Sequence, residues 1–557
     1  MSKNDQRPRL YLILLILVSF AWRVQGLANQ SLWRDEVDAV YFALRNLRET
    51  LAMFVRVADN GALYFLMLRG WFNLVGASEF ALRYPSVLAS TLSVVLLWQV
   101  ARRLVQVRSV ECETRNADAQ TERVGALALE TPAIEADLLT ERSTLRTSHP
   151  EGTRPIRILS SVPFLSATLL ALNPYQLWYA QEGKMYAVIT CLTLLATWFW
   201  LTGIERGGWR RWLGYLITVS IAMYTHLLMV LLIPLHFIWF LIAWPQSRRQ
   251  WRGYELALAG LTLPYLPMVW WQWAMLTTSE HRTGFTFVPL RETLRSLIFS
   301  HSRGFLPSDN LLSLTPIFFL ALAGLVLGFY EMGQPATQPD NELSAGRRFL
   351  LVISWVIVPI LSIYALSLRQ AIFTERYVIW IAPAIMLLLA LGVQVVMHNA
   401  GKIAGLLAGL LLIYVLGFWF YVGWQQKTMP MKYDLRDAVT YIAQRRQPDT
   451  LLILQIPHMQ YSYRYYSGDF SANYLDDSDE RLGDWVGGLW TNDGKSAADV
   501  DQQMQELTAG AAELWVLRSE VEMWDSRHLM DEWLDQHGTV IDQAEFLGTQ
   551  VKHYRFR

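Results

Sequence analysis

Long uncharged stretches recur along the chain from the N-terminus to Trp424. A helix needs about 20 mainly apolar residues to cross the hydrocarbon core of a membrane, and stretches of this kind predict spanning helices. We place about eleven of them. Their approximate ranges are 10–27, 80–104, 157–174, 184–204, 212–225, 227–244, 254–276, 311–330, 349–368, 376–397 and 403–424. The pattern therefore predicts a polytopic α-helical membrane protein.

The run 212–244 contains no charged residue. As a single helix it would be about 50 Å long, which is too long for one crossing. Because both flanks are rich in arginine, both ends are expected on the same side of the membrane. We therefore predict that the run crosses twice and that His226 lies at the turn, on the outer rim.

The basic residues of the loops set the predicted orientation. They accumulate between alternate spans, at Arg102/Arg103, Arg206/Arg210/Arg211, Arg248/Arg249/Arg252, Arg347/Arg348 and Lys402. Because positively charged loops tend to stay in the cytoplasm, we predict that these loops and the N-terminus are cytoplasmic. An odd number of crossings of the plasma membrane then puts residue 557 outside the cytoplasm.

Residues 28–79 form a long external loop between the first two predicted spans. Within it, Gly61–Gly76 has a single charged residue, Arg69. A crossing here would invert every later loop, so we predict a helix that lies in the membrane interface. Residues 106–155 are rich in Arg, Glu, Asp and Thr and show little periodicity, which predicts a disordered cytoplasmic insertion.

The character of the sequence changes after Trp424, where helical and strand patterns begin to alternate. We predict helices at 434–446 and 525–536 and strands at 450–456, 513–518 and 550–556. Residues 425–557 are thus expected to form a soluble α/β domain outside the cytoplasm, and residues 1–424 the transmembrane domain.

Composition adds two exclusions. The chain has 48 basic and 48 acidic residues and a formal net charge of zero, which gives no electrostatic footprint for nucleic acid. Its two cysteines, Cys112 and Cys191, lie in a polar loop and in an apolar span. We therefore predict neither a disulfide nor a cysteine metal site.

Two adjacent carboxylates, Asp35 and Glu36, follow the first predicted span. Charge beside hydrocarbon is costly, so the pair indicates chemistry or metal binding. A solvated loop that begins a helix is the alternative. In the functional interpretation, the catalytic pair consists of Asp35, a general base that accepts a proton from a hydroxyl group, and Glu36 beside it.

Asp59 and His226 are candidate ligands for a divalent metal, from separate outer loops. Carboxylate and imidazole together do not choose among Mg²⁺, Mn²⁺ and Zn²⁺. Two other interpretations stay open: Asp59 can cap the helix that follows it, and a histidine in an apolar run is more often a packing residue.

The outer turn that ends at Tyr186 is dense in polar and aromatic groups. Lys184, at a helix start, is suited to grip a phosphate. Aromatic faces suit sugar rings or prenyl chains, and the candidates to line a substrate here are Tyr179, Gln181, Glu182 and Tyr186. Anchoring at the membrane interface is the alternative for all of them.

Arg376 and Tyr377 open another predicted span from its outer side, and Arg83 lies just inside the second span. The planar fork of arginine matches a phosphate, so Arg376 and Arg83 are candidates to bind a donor phosphate. Interfacial anchoring is the alternative for both. Tyr377 joins the group that is predicted to line the substrate.

Together these motifs resemble the GT-C glycosyltransferases, most closely the bacterial relatives of protein O-mannosyltransferases and of the lipid A aminoarabinose transferase. The resemblance runs in order through Trp33–Glu36, Ser78–Ser86, Trp178–Tyr186, Tyr224–His226 and Glu375–Tyr377. It implies a polyprenyl-phosphate sugar donor, a hydroxyl acceptor on a lipid, glycan or protein, and an inverting single displacement on the outer face of the membrane.

The resemblance also implies roles for single residues. Asp35 matches the general base, Lys184 and Arg376 match the residues that hold the lipid phosphate, and Asp59 and His226 match positions that look like metal ligands in some relatives.

The chain departs from the family pattern in three places. Asn60-Gly61-Ala62 stands where many relatives have Asn-Pro-Pro or Lys-Pro, and Lys184 stands where arginine is usual. Lysine neutralises a phosphate but lacks the bidentate fork of arginine. The insertion at 106–155 is unusual as well.

Two other classes of protein compete with the transferase. A lipid or sugar transporter or flippase needs charged or broken helices at mid-membrane and often repeated halves, whereas the ionisable residues here lie at span ends and we find no repeat. A non-catalytic receptor would bind its ligand through residues 425–557. About eleven spans exceed what an anchor needs.

Overall fold

The computed structural model describes residues 3–56, 59–105, 161–273, 285–306, 315–332, 343–399, 401–456, 459–468, 481–482, 485–487, 492 and 494–556. The predicted insertion at 106–155 lies outside the described residues. Up to residue 428 the described chain is helical, and beyond it helices alternate with strands.

Helices follow one another through the first part of the chain. The α-helices are Lys3–Val24, Arg34–Leu44, Leu47–Ala52, Ala62–Val75, Glu79–Leu104, Val162–Leu172, Pro174–Ala180, Tyr186–Arg206, Trp209–Thr225, Leu232–Ile242, Trp251–Thr262, Leu266–Gln272, Leu290–Arg303, Thr315–Met332, Ala345–Ser367, Ala382–Asn399 and Gly401–Thr428. Short 3₁₀ segments connect some of them, at Leu227–Leu231, Ser247–Gln250, Leu263–Tyr265 and Glu375–Ile381.

Every predicted span overlaps a helix, but the structure does not confirm a count of eleven crossings. Among the described residues, five helices are long and apolar enough to cross a membrane by themselves. They are Glu79–Leu104, Tyr186–Arg206, Gly346–Ser367, Glu375–Met397 and Gly401–Thr428. The other predicted spans coincide with helices that are shorter, less apolar or interrupted.

The run 212–244 folds back on itself, as predicted. The helix Trp209–Thr225 ends at His226, whose extended backbone (φ −154°, ψ 121°) breaks the helical path before the chain continues into Leu232–Ile242. A hydrogen bond of 3.0 Å between the Tyr215 hydroxyl and His236 Nδ1 joins the two legs. His226 is therefore buried at the tip of a helical hairpin, 1% exposed.

Residues 28–79, the predicted external loop, are largely helical where the structure describes them and pack on the rest of the molecule. The helix Ala62–Val75 occupies the segment predicted to lie in the interface. Gly61 precedes that helix with a positive φ of 86°, and a Cβ atom there would lie 2.6 Å from Cε of Met185. Glycine is favoured at this position because a φ of 86° lies in the left-handed region, which L side chains rarely adopt.

Residues 435–556 form a mixed sheet with helices on both faces. The strands are β1 (Leu451–Leu454), β2 (Arg481–Leu482), β3 (Trp485–Gly487), β4 (Glu513–Ser519), β5 (Gly538–Phe546) and β6 (Thr549–Phe556). Their order is β2-β3-β1-β4-β6-β5, with β1 parallel to β3 and β4 and the other pairs antiparallel. The helices of this part are Leu435–Arg445, Met459–Ser467, Ala497–Thr508, Val521–Trp524 and Leu529–His537.

This α/β unit packs directly against the external loop. Ser31 donates from its hydroxyl to the Tyr433 carbonyl at 2.6 Å, and the Leu32 backbone N–H donates to the Tyr466 hydroxyl at 2.6 Å. The Tyr465 hydroxyl donates to the Ala77 carbonyl at 2.9 Å. These bonds attach the α/β unit to the loop that contains the helix Arg34–Leu44, which carries the adjacent carboxylates.

Candidate active site

Asp35 and Glu36 lie in the first turn of the helix Arg34–Leu44, hereafter the acidic helix. Acidic side chains are favourable there because they face the positive end of the helix dipole. Successive residues of a helix point about 100° apart, so the two carboxylates face different surroundings.

Glu36 is fully buried and completely hydrogen-bonded. Its Oε1 accepts from Arg83 Nε and from the Gly183 backbone N–H, each at 2.8 Å. Its Oε2 accepts from Arg83 Nη2 at 2.7 Å and from Lys432 Nζ at 2.9 Å. Burial alone would raise the pKa of Glu36, but Arg83 and Lys432 outweigh burial and lower that pKa to about 2.

Arg83 uses all five of its N–H groups inside the protein. Two bind Glu36, and the other three donate to the backbone carbonyls of Leu27, Gln30 and Ser31 at 2.8 to 3.0 Å. The arginine is 1% exposed. No N–H is left for a donor phosphate, so this geometry contradicts the prediction that Arg83 binds one.

The prediction that Glu36 is catalytic meets the same difficulty. A base must reach the hydroxyl proton that it removes, but both oxygens of Glu36 are occupied and the side chain is inaccessible. Glu36 and Arg83 instead fix the positions of three elements relative to one another. These are the acidic helix, the helix Glu79–Leu104 and the turn at Gly183. We assign both to positioning.

Asp35 has a different environment. Its Oδ2 forms an ion pair of 2.8 Å with Arg376 Nη1, and the two side chains are 19% and 20% exposed. Burial would raise the pKa of Asp35, yet the nearby cations Lys184 and Arg376 outweigh it and hold that pKa below its usual value. Asp35, the predicted general base, and Arg376, a residue predicted to bind phosphate, thus form a partly exposed ion pair.

Arg376 lies between aromatic rings at this contact. Its guanidinium carbon is 5.8 Å from the ring centre of Trp33 and 5.6 Å from that of Tyr186. Its buried Nε has no hydrogen-bond partner among the described residues. The rings fix the plane of the guanidinium while part of its donor fork stays unused, which is the arrangement needed to receive an anion.

Further buried polar atoms without hydrogen-bond partners lie around the Asp35–Arg376 ion pair. Both carboxylate oxygens of Glu182 and both ring nitrogens of His226 lack a hydrogen bond within the described part of the chain. Each residue is 1% exposed. Burial raises the pKa of Glu182 to about 7, and burial together with Arg376 lowers the pKa of His226 to about 3. The imidazole is therefore neutral near pH 7.

Three predicted tyrosines connect these groups. The ring of Tyr186 lies 5.2 Å from that of Tyr179, and the ring of Tyr377 lies 5.0 Å from that of His226. Tyr186 and Tyr377 themselves are 6.4 Å apart. Buried polar groups normally have partners, so unpartnered atoms gathered inside an aromatic wall indicate a place for a polar ligand or for water.

Lys184 lies beside the pair without a direct bond to it. The side chain is half-buried, and its Nζ lies 5.9 Å from the ring centre of Phe65. Its charge acts on both Asp35 and Asp38. The structure thus brings Lys184, Arg376 and Asp35 together, as the sequence predicts.

Gln181 does not present its amide to the site. Its Nε2 donates to the backbone carbonyls of Arg23 and Gln25, at 2.8 and 2.9 Å, and the backbone carbonyl of Gln181 accepts from Lys432 Nζ at 3.3 Å. The residue holds the turn against the first helix, which contradicts the prediction that it lines the substrate.

The loops of Asp59 and His226 do approach each other. The side-chain oxygen of Asn60 accepts from the Leu227 backbone N–H at 2.9 Å. However, no group of three His, Cys, Asp or Glu side chains that could hold a metal ion occurs among the described residues. Asp59 and His226 alone do not make a metal-binding set.

The structure adds two residues that the sequence analysis missed. Lys432 contacts Glu36 from 396 positions along the chain, a link that no local motif records. Asp38 is half-buried, and burial raises its pKa to about 7 although Lys184 opposes the shift. Its spacing from Asp35, three residues along one helix face, was a signal that could have found it.

Solved structures share this fold. The apo crystal structure of ArnT from Cupriavidus metallidurans matches with a TM-score of 0.52 at 13% identity, over 98% of this chain and 97% of that one. The same protein bound to undecaprenyl phosphate matches with a TM-score of 0.51 at 13% identity, over 98% of each chain. The archaeal oligosaccharyltransferase AglB from Archaeoglobus fulgidus, in complex with an inhibitory peptide and a dolichol-phosphate, gives 0.51 at 10% identity, over 99% of this chain and 74% of that one.

These proteins are GT-C glycosyltransferases, so the chain has the GT-C fold that its motifs predicted. By sequence, neither a protein-family model nor a curated protein matches the chain. At 10–13% identity the likeness concerns the fold, and the chemistry rests on the site itself.

Proposed function

We propose that the protein is a membrane glycosyltransferase that moves a sugar from a polyprenyl-phosphate donor to a hydroxyl acceptor on the outer face of the membrane. The observation that carries the proposal is the ion pair of 2.8 Å between Asp35 and Arg376 inside a GT-C fold. It joins a group that can take a proton to a group that can hold a phosphate. Two structures of similar fold hold undecaprenyl phosphate or a dolichol-phosphate.

The chemistry follows from what must be bound and what must leave. The acceptor oxygen attacks the anomeric carbon of the sugar while the bond from that carbon to the phosphate oxygen breaks. Polyprenyl phosphate departs with the electron pair of that bond, and the configuration at the anomeric carbon inverts. Arg376 and Lys184 stabilise the negative charge that grows on the phosphate, because preorganised cations lower such a barrier.

Asp35 accepts the proton of the acceptor hydroxyl. Before the donor binds, Arg376 and Lys184 keep the pKa of Asp35 low, which makes it a weak base. A phosphate that shares these cations adds negative charge beside Asp35 and raises its pKa. The base therefore strengthens only when the donor is in place, which limits attack by stray nucleophiles.

Glu182 and His226 hold the sugar in this proposal. A neutral imidazole offers one donor and one acceptor, and a carboxyl with a pKa near 7 is often protonated and can donate as well. Both have open hydrogen-bonding atoms inside the aromatic wall. Tyrosine faces pack well against the apolar side of a sugar ring.

A transfer assay tests the proposal. Purified protein in lipid vesicles is incubated with radiolabelled polyprenyl-phosphate hexoses and pentoses, with envelope extract of the producing cells as the source of acceptors. We expect label to move from one of these donors to an acceptor, and Asp35→Asn to prevent it. Passage of the intact labelled lipid or sugar across the vesicle, without cleavage from its carrier, would favour a transporter instead.

A further inference from the structure

A cavity lies away from the candidate active site. It has a volume of about 910 Å³ and lies where the helix Trp209–Thr225 begins, whereas His226 follows the end of that helix. At 1.5 Å per residue this helix separates the two places by on the order of 25 Å. The cavity therefore opens toward the opposite face of the membrane, at loops that the sequence predicts to be cytoplasmic.

The lining of this cavity is strongly basic. Arg248, Arg249 and Arg252 contribute to it, and no Asp or Glu does. Neither Arg248 nor Arg252 forms an ion pair with another residue in the described ranges. A basic pocket between helix ends, whose lining contains no carboxylate, attracts an anion from outside the protein.

An uncapped helix start borders the same space. The helix Trp209–Thr225 begins at Gly208, which gives it no side-chain cap, and both Gly208 and Trp209 line the cavity. Trp212 also contributes to the lining and is 5% exposed; its indole N–H is buried behind the surface of the cavity and has no partner in the described part of the chain. Free N–H groups at a helix start favour negative charge, and phosphate in particular.

One side of the cavity is apolar and open. Leu213 and Leu256 line it with 41% and 72% of their surfaces exposed, and Trp251 is 44% exposed. These side chains lie beside the basic groups at the ends of membrane helices, where tryptophan is typical of the water–lipid boundary. A ligand that fits here has an anionic head and an apolar tail.

We propose that this cavity binds an anionic phospholipid, with the phosphate held by Arg248 and Arg252 and an acyl chain lying along Leu213 and Leu256. The site lies where the helix Trp251–Thr262 packs on the helix Trp209–Thr225: at Gly253 a Cβ atom would lie 2.4 Å from the Trp212 ring. The inference is independent of the glycosyltransferase proposal, because the cavity shares no residue with the active site.

Native mass spectrometry of the detergent-purified full chain tests this. Phosphatidylglycerol is titrated in, with phosphatidylcholine of the same acyl chains as the neutral comparison. We expect one phosphatidylglycerol to be retained in preference to phosphatidylcholine. Arg248→Gln/Arg252→Gln should weaken its retention roughly tenfold or more, since each basic side chain near a lipid surface contributes a factor of about five.

The matched control is Arg102→Gln/Arg206→Gln, which removes two exposed arginines from the face that carries the cavity without touching its lining. It should retain phosphatidylglycerol like the wild type. If both double variants lost phosphatidylglycerol equally, its retention would depend on the general charge of the surface. That result would overturn the proposed site. Release of the lipid by millimolar inorganic phosphate, or by undecaprenyl phosphate below the concentration of phosphatidylglycerol, would make a soluble anion or the carrier lipid the occupant and overturn the phospholipid.

Discussion

Two neighbouring carboxylates, Asp35 and Glu36, mark two regions with opposite design. Glu36 belongs to a closed ionic cluster with Arg83 and Lys432, in which both carboxylate oxygens of Glu36 and all five N–H groups of Arg83 are used. Asp35 belongs to an open one, in which Arg376 keeps an unused Nε. Charges in the first region hold elements together, whereas charges in the second remain available to a ligand.

The comparison shows that residue type alone does not reveal function in this loop. Both carboxylates lie in the same helical turn and both face arginine. The difference lies in how many hydrogen-bonding positions stay open after folding. A buried, satisfied pair specifies structure, and an incompletely satisfied group indicates a site that expects a partner.

The largest effect is expected for Asp35→Asn. This change keeps the size of the side chain and removes the proton acceptor, so transfer should fall by about 10²–10⁴-fold. Binding of undecaprenyl phosphate should persist or tighten, because Arg376 loses its competing partner. Turnover near that of the wild type in a folded variant would remove Asp35 from the chemistry and make Asp38 the next candidate.

Glu36→Gln should act on stability instead. It leaves Arg83 and Lys432 buried with less countercharge, and breaking a buried ion pair costs about 3–5 kcal/mol. The apparent midpoint of thermal unfolding in detergent should drop clearly. Asp35→Asn is the matched control, since its partly exposed pair should contribute about 0–1 kcal/mol. Equal unfolding midpoints for Glu36→Gln and Asp35→Asn would contradict the distinction between the closed cluster and the open one.

Arg376→Ala should weaken binding of undecaprenyl phosphate. Hydrogen bonds to charged groups contribute about 1.5–3 kcal/mol, which corresponds to roughly 10–150-fold in affinity. Arg376→Lys keeps the charge without the fork and should lie between alanine and the wild type. Arg295→Ala, at a side chain that is 65% exposed, is the control and should bind normally. Unchanged affinity in Arg376→Ala would reassign that residue to anchoring.

The smallest effect concerns Glu182 and pH. Its folded pKa of about 7 lies above the ordinary value of 4.5, so the folded state holds its proton longer than the unfolded state. The contribution of Glu182 to stability is therefore present below pH 4.5 and is lost as the pH rises through 7. Glu182→Gln should gain stability relative to the wild type between pH 5 and pH 8. A constant difference in unfolding midpoint would contradict the buried, unpartnered carboxyl.

The pattern of the sequence predicted much of the fold for a physical reason. Membrane-length apolar runs and arginine-rich flanks reflect constraints that act locally, so the hairpin at His226 followed from charge and length alone. The strand β5 escaped prediction because its side chains are mostly exposed and give a weak apolar signal. The number of crossings was not predicted by apolar runs alone, because several of these runs form helices that are short or interrupted.

For the candidate site, the sequence indicated which residues to consider, but not how the contacts divide among them. Lys184, Arg376 and Asp35 came from motifs near span ends. The closed cluster depends on long-range contacts: Arg83 lies 47 positions from Glu36 along the chain, and Lys432 lies 396 positions from it. A single sequence does not reveal such contacts. Whether Arg83 binds phosphate or Glu36 is decided by that long-range geometry.

The most direct test measures single-turnover transfer by the protein pre-loaded with a labelled polyprenyl-phosphate sugar, for Asp35→Asn and Glu36→Gln side by side. Each rate is divided by the fraction of protein that is folded and has donor bound. The account predicts that corrected Glu36→Gln stays within about tenfold of the wild type, whereas corrected Asp35→Asn falls by 10²-fold or more. The reverse order, with Glu36→Gln inactive although folded and Asp35→Asn active, would contradict it.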